Sequence, residues 1–171
     1  MSTARVDFNL MQASYEGYRL GDPAPCKSPG ISNQCAVRLS LALVRNGFSL
    51  ESFPNQRRIH NGRSRCSLGS DQHIVGADEL HRYLTQVWDM GVRGSGESIR
   101  SQIGTLRGIV YFNNCFHRST DPEGESRGDH IDLWNGTNYY NQLLGIAAGG
   151  TARTGTDLFA AASFVRFFWL P

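Results

Sequence analysis

The first periodic stretch is Phe8, Met11, Tyr15 and Tyr18, apolar positions at helical spacing that predict a short amphipathic helix over residues 7–20. Gly21-Asp22-Pro23-Ala24-Pro25 ends it, since neither proline can continue a helix. After a loop to Ile31, residues 34–46 place Ala36, Val37, Leu39, Leu41, Ala42, Leu43 and Val44 around nearly a whole helical circumference. A helix that is apolar all round is a buried one. Ser32 or Asn33 suits its N-cap and Gly47 its C′ position. Residues 48–75 read as one irregular stretch rich in Arg, Asn, Ser and Gly, a length of loop that usually serves a groove or a partner surface. Leu80, Tyr83, Leu84, Val87 and Trp88 then mark a second amphipathic helix over 77–89, broken by Gly91, Gly94 and Gly96.

From there the pattern turns to strands. Gly108-Ile109-Val110-Tyr111-Phe112 reads as a buried strand, 117–128 as a polar loop, and His130 to Trp134 as the next strand. Asn135-Gly136 is a strong two-residue hairpin signal, which makes Thr137 to Leu144 the return strand. Phe164 to Leu170 closes the sheet after a loop of small residues, and Trp134 and Trp169 read as core. The two-residue turn pairs Trp134 with Thr137, and counting back sets His130 opposite Asn141. Direct neighbours across a hairpin have Cβ atoms about 5 Å apart. Asp132 shares that face two residues along the strand, about 6.5–7 Å away. Asn141 is therefore the preferred partner for the His130 ring, with Asp132 as its rival.

Composition narrows the class. The 171 residues suit one domain that buries roughly two-thirds of its unfolded surface. Apolar content of 40% against 19% charge describes a globular chain. A net charge of +2 gives no case for nucleic acid, and the arginines from Arg57 to Arg65 read as a solvated loop. No segment has the roughly 20 apolar residues of a membrane span. The N-terminus lacks a basic region followed by an apolar core, so the expectation is a cytoplasmic product without a secretory signal. Cys26, Cys35, Cys66 and Cys115 lack the paired spacing of a zinc or redox site. If Cys35 stays a free thiol, the other three allow at most one disulfide. His60, His73, His81 and His117 show no metal-ligand spacing and read as surface or loop residues. No metal or cofactor is expected.

Cys35 carries the chemistry. It falls in the first turn of the buried helix, where unpaired N–H groups and the positive end of the dipole favour a thiolate. Those N–H groups, the Cys35 amide first, can also act as oxyanion donors, and Asn33 and Gln34 lie near enough to contribute. By itself a cysteine in an apolar helix is usually core, Asn33 is by default a cap, and Arg38 a structural hub. A histidine base at His130, held by Asn141 or Asp132, changes that balance.

Asn33-Gln34-Cys35-Ala36-Val37-Arg38-Leu39-Ser40 resembles the nucleophile motif of the type VI secretion amidase effectors of family four: Asn, any residue, Cys, then Arg three on and Ser five on. Gly128-Asp129-His130-Ile131-Asp132-Leu133-Trp134-Asn135-Gly136 resembles that family's His strand, with Asp129 inserted before the histidine, and Phe168-Trp169-Leu170-Pro171 resembles its closing strand. The resemblance runs from about residue 30 to the end. It implies an α+β, papain-like fold of the NlpC type, forming a single amidase domain over 1–171. It implies hydrolysis of peptidoglycan stem peptides between γ-D-glutamate and meso-diaminopimelate. It also implies delivery by the type VI secretion apparatus into a neighbour's periplasm and a cognate immunity protein. The family's aspartate eleven residues after the histidine corresponds here to Asn141, so the resemblance and the hairpin count meet on one residue. An amide there can accept the ring N–H but carries no charge, which Asp132 can supply. Two other readings stay open: a papain-like protease, deamidase or acyltransferase acting on proteins of a target cell, and a binding module whose Cys35 is only core.

Overall fold

In the computed structural model, residues 6–16, 25–26, 33–53, 59–61, 72–88, 91–118, 120–140 and 157–171 are described. Their elements in chain order are α1 (Phe8–Glu16), α2 (Cys35–Arg45), β1 (Ile59–Asn61), β2 (Gln72–Ile74), α3 (Ala77–Val87), β3 (Gly91–Gly94), α4 (Gly96–Ile103), β4 (Gly108–Phe116), β5 (Gly128–Trp134), α5 (Leu158–Ala161) and β6 (Phe164–Trp169). The fold is mixed α+β. Four antiparallel strands lie in the order β3-β6-β4-β5, and β1 and β2 form a separate small sheet.

Alternation along the strands explains the layering. Ile109, Tyr111, Ile131, Leu133 and Phe168 face one core, shared with α1, α2 and α3. Val110, Phe112, Trp134, Val165 and Phe167 face the other, under α4 and α5. Sheets covered on both sides carry near-continuous apolar strands, which is why 108–112 and 164–168 stand out in the sequence.

The buried helix forms as its pattern predicts, over Cys35–Arg45, with every residue from Cys35 to Leu43 buried. Its end is a Schellman motif: Phe48 N donates to Leu43 O and Gly47 N to Val44 O, with Gly47 at φ +80°. Ser40, five on from the cysteine, is a structural pin. Its hydroxyl accepts from Ile74 N at 2.9 Å and donates to Val37 O at 3.1 Å, fastening β2 to α2.

Several expectations are corrected. The 48–75 stretch contains the β1–β2 ladder, with Ile59 opposite Ile74. The glycines after α3 carry structure of their own: Gly91–Gly94 is the sheet's outer strand, and α4 follows at once with Ser95 as N-cap. A Cβ on Gly96 would stand 1.7 Å from Phe159 O, so only glycine lets α4 start against α5. His73 is fully buried and His81 is 9% exposed, neither being the surface residue its polarity suggested. Trp169 is 48% exposed rather than core.

The Asn135-Gly136 hairpin does not form as a two-residue turn. The Asn135 side chain accepts from Thr137 N at 3.0 Å and Asn138 N at 2.8 Å, taking the amide that a two-residue turn would return to Trp134. Trp134 bridges instead to Tyr139 across a four-residue loop, and Tyr140 is already helical. Among the described residues the return strand over 137–140 is absent. Asn141 to Leu144, with the rest of that expected strand, lie outside the described residues.

Candidate active site

The site sits on β5, the edge strand of the sheet, along which α2 packs. The β4–β5 ladder sets Phe112 opposite His130 and Val110 opposite Asp132, so the two polar residues share a face. Between the pairs Phe112–His130 and Phe116–Gly128, Asn113, Asn114 and Cys115 on β4 oppose Asp129 alone. This bulge explains the residue inserted before the histidine. Asp129 Oδ1 accepts from Asn114 N at 2.9 Å and Asn113 Nδ2 at 3.1 Å, filling the gap in the ladder, while Asn114 takes φ +51°.

His130 and Asp132 are both 0% exposed, and His130 Nε2 lies 3.3 Å from Asp132 Oδ2. His130 also hydrogen-bonds Cys35. Burial by itself would lower the imidazole's pKa. The charge of Cys35 as thiolate and the hydrogen bonds to Asp132 and Cys35 outweigh it and push the pKa up to about 10. The proton therefore rests on His130 at neutral pH, between Cys35 and Asp132. Cys35 itself is 8% exposed, at the first residue of α2.

Asp132 is held on all sides. Its Oδ1 accepts from Leu133 N at 2.8 Å, and it accepts from the Tyr15 hydroxyl. Tyr15 is buried, set edge-on to Tyr140 at 5.5 Å between ring centres. Burial and then the charges of Asp132 and Cys35 raise its pKa well above the phenol's ordinary value, so it stays a donor. Sequence reasoning took Tyr15 only as one apolar position of α1. A hydroxyl in an otherwise apolar buried stripe was the one signal available.

The residues beside the cysteine do different work. Asn33 Oδ1 accepts from Cys35 N at 3.1 Å, and Asn33 Nδ2 reaches Asp129 O at 3.5 Å, tying the head of α2 to the start of β5. The Cys35 amide is thus held by Asn33 in the resting state rather than left open for an oxyanion. Gln34 occupies the N-cap position of α2 without a capping bond. Its amide clamps Cys26, accepting from Cys26 N and donating to Cys26 O, both at 3.0 Å. Cys26, Cys35 and Cys115 are free thiols, and Cys66 lies outside the described residues. Burial, then the charges of Cys35 and Asp129, drive the Cys115 pKa upward, which keeps it a neutral thiol beside the site.

The structure thus gathers Cys35, His130 and Asp132, with Asn33 and Gln34 supporting the helix head. Asn141 lies outside the described residues, and the hairpin that brought it to His130 by counting is not the turn that forms. Among the described residues no cluster of His, Cys, Asp and Glu could hold a metal ion, and no helix is long and apolar enough to cross a membrane.

A model of the family described as "Type VI secretion system (T6SS), amidase effector protein 4", Tae4, matches residues 31–168. Among solved structures the chain is similar to Tae4 in the Tae4–Tai4 effector–immunity complex from Enterobacter cloacae, with TM-score 0.65 and 16% identity over 98% of this chain and 99% of that one. It is similar to Tae4 from the same organism solved as the effector, with TM-score 0.62 and 14% identity over 100% of both chains. The Tae4/Tai4 effector–immunity system from Salmonella typhimurium gives TM-score 0.61 and 16% identity over 98% of this chain and 99% of that one. At such identities the structural likeness speaks for the fold. No curated protein matches the chain.

Proposed function

The chain belongs to the Tae4 family of type VI secretion amidase effectors, and on that premise we propose an antibacterial cysteine amidase that cuts peptidoglycan stem peptides between γ-D-glutamate and meso-diaminopimelate. One observation carries the reading: Cys35, His130 and Asp132 form a single buried hydrogen-bonded chain at the head of a buried helix. A core cysteine needs no such partners.

The proposed catalytic residues are Cys35 and His130, with Asp132 as the orienting third. The 3.3 Å contact to His130 supports Asp132 in that role ahead of Asn141. With Nε2 given to Asp132, Nδ1 is left for Cys35. The proton shared between Cys35 and His130 lies on His130, and the Cys35 thiolate attacks the γ-glutamyl carbonyl carbon. The oxyanion forms at the N-terminus of α2, where first-turn amides have no intrahelical partner. The Cys35 amide joins them only by giving up or sharing its bond to Asn33. His130 returns its proton to the leaving diaminopimelate nitrogen as the C–N bond breaks, leaving a γ-glutamyl thioester. Water, deprotonated by His130, hydrolyses the thioester to the free carboxylate and the thiol. Neither a metal nor a cofactor enters this scheme.

The rest of the reading follows from the family: one papain-like, NlpC-type domain, made in the cytoplasm, delivered by the secretion apparatus to the target's periplasm, and neutralised at home by a cognate immunity protein. The test is digestion of purified diaminopimelate-type peptidoglycan, with fragments resolved by chromatography and mass spectrometry. Wild-type protein is expected to release stem peptides cut after γ-D-glutamate, and Cys35→Ala protein none. Identical fragment profiles for the two proteins would sink the proposal.

A further inference from the structure

A second polar site lies beyond the catalytic chain. On the face of the sheet covered by α3, the ladders set Tyr111 beside Arg166 and Arg166 directly opposite Arg93. Like charges opposite each other across strands are destabilising unless something lies between them. Neither arginine forms an ion pair among the described residues. Each sits over an aromatic ring, Arg93 4.0 Å from the centre of Phe164 and Arg166 5.4 Å from that of Phe168.

His81 covers this row from α3. Its ring stacks on Tyr111 at 4.1 Å and 4°. It is 9% exposed, and neither ring nitrogen has a hydrogen-bond partner. Asp78 Oδ1 lies 3.7 Å from His81 Nδ1 and accepts from the Tyr111 hydroxyl at 3.4 Å, while Asp78 Oδ2 is engaged by Arg82 at 2.7 Å. Burial holds the His81 pKa down at about 4, the charge and hydrogen bonding of Asp78 opposing it and Arg166 and Arg93 adding to it, so the imidazole is neutral and carries a single ring N–H. Of five buried side-chain atoms without a hydrogen-bond partner among the described residues, three belong to residues that line this depression: His81 Nδ1, His81 Nε2 and Arg166 Nε. Buried orphan donors clustered in one place call for an acceptor. The depression has a volume of about 480 Å3, enough for a peptide terminus.

We propose that this depression binds a carboxylate, gripped by Arg93 and Arg166 and accepting from the His81 ring. Two guanidinium planes suit the flat, two-oxygen group, and Phe164 and Phe168 suit the carbon chain behind it. One wall, Asn113, donates to Asp129, the residue before His130. On the amidase reading above, on which this assignment of the ligand rests, the carboxylate belongs to the stem peptide.

The experiment titrates full-length Cys35→Ala protein with the tripeptide L-Ala-γ-D-Glu-diaminopimelate, following the His81 ring protons by NMR. The same titration is run with the carboxyl-amidated tripeptide and with inorganic phosphate. The expected result is a saturable His81 shift and a raised His81 pKa with the free tripeptide only. Binding should weaken about tenfold or more in Arg166→Gln and in Arg93→Gln, the latter an exposed position whose replacement leaves the core intact. Equal binding of the amidated peptide, no His81 shift with the free tripeptide, unchanged binding in both arginine variants, or a response to phosphate alone would each overturn the proposal. The wall digest of wild-type protein reads the amidase proposal separately: tripeptide binding without cleavage would remove that proposal and leave the carboxylate site standing.

Discussion

Replacing Asp132 by asparagine tests the active-site reading most directly. The change keeps the shape of the side chain and an oxygen for Leu133 N, and replaces the charged oxygen facing His130 by an NH2 group. At the 3.3 Å separation of His130 Nε2 and Asp132 Oδ2, two unit charges attract by about 5 kcal/mol at an effective dielectric of about 20. The amide dipole and local relaxation recover roughly half, leaving about 2–3 kcal/mol of lost imidazolium stabilisation. At 1.36 kcal/mol per decade, that is a fall of about 30–160-fold in kcat/KM. The pH profile moves as well. Asp132 is one of the groups raising the His130 pKa to about 10, so its neutralisation lowers that pKa and brings the alkaline limb of activity to lower pH. The assay is the rate of stem-peptide release from purified wall across pH, with circular dichroism to confirm that the variant folds. Asp132→Asn protein that is folded, within about threefold of wild type and unchanged in its alkaline limb would refute the role of Asp132. If Asn141→Ala then abolished activity, the orienting role would pass to Asn141.

Three further outcomes follow from the same geometry. Tyr15→Phe removes one donor to a buried carboxylate, a bond worth about 1.5–3 kcal/mol, and should lower kcat about tenfold or more with KM unchanged; an unaltered kcat would detach Tyr15 from the site. His130 has a folded-state pKa of about 10 against 6.5 for the free imidazole, so its contribution to stability is full below about pH 6.5 and disappears as pH rises through 10. Melting temperatures of wild type and His130→Gln should therefore converge over that window, and a constant gap would argue against a raised pKa. Ser40→Ala strands the buried Ile74 N–H and should cost about 1–3 kcal/mol in denaturant unfolding; a loss under about 0.5 kcal/mol would show that water or a backbone shift replaces the hydroxyl.

The parts of the fold legible in the sequence are those with one dominant local signal. The helix from Cys35 is apolar around nearly all of its circumference and closed by Gly47, and β4 and β6 each carry a near-continuous apolar run. The parts that escaped depend on partners distant in the chain. Gly91–Gly94 is a strand because Phe168 to Val165 lie beside it, and its own four residues carry two glycines and no apolar alternation. Gly96 starts a helix because the backbone of Phe159 occupies the space where a side chain would be. His73 and His81 are buried by the layers above and below them, which no window of sequence records.

The proposed third member of the site shows where pattern and side-chain chemistry part. The Asn-Gly signal is statistical: it favours a two-residue turn because both residues tolerate positive φ. Here Asn135 uses its carboxamide on Thr137 and Asn138, and Gly136 alone takes positive φ, at +96°. That local capture changes the register, and every pairing counted back through the turn changes with it. The alternation within β5 depends on no turn. His130 and Asp132 share a face by the pleat of one strand, and although their backbones are two residues apart, their side chains close to 3.3 Å. A relation inside one strand survives an error in the loop that follows it. The proposed pairing of His130 with Asp132 therefore rests on the pleat of one strand, whereas a pairing with Asn141 rests on the turn.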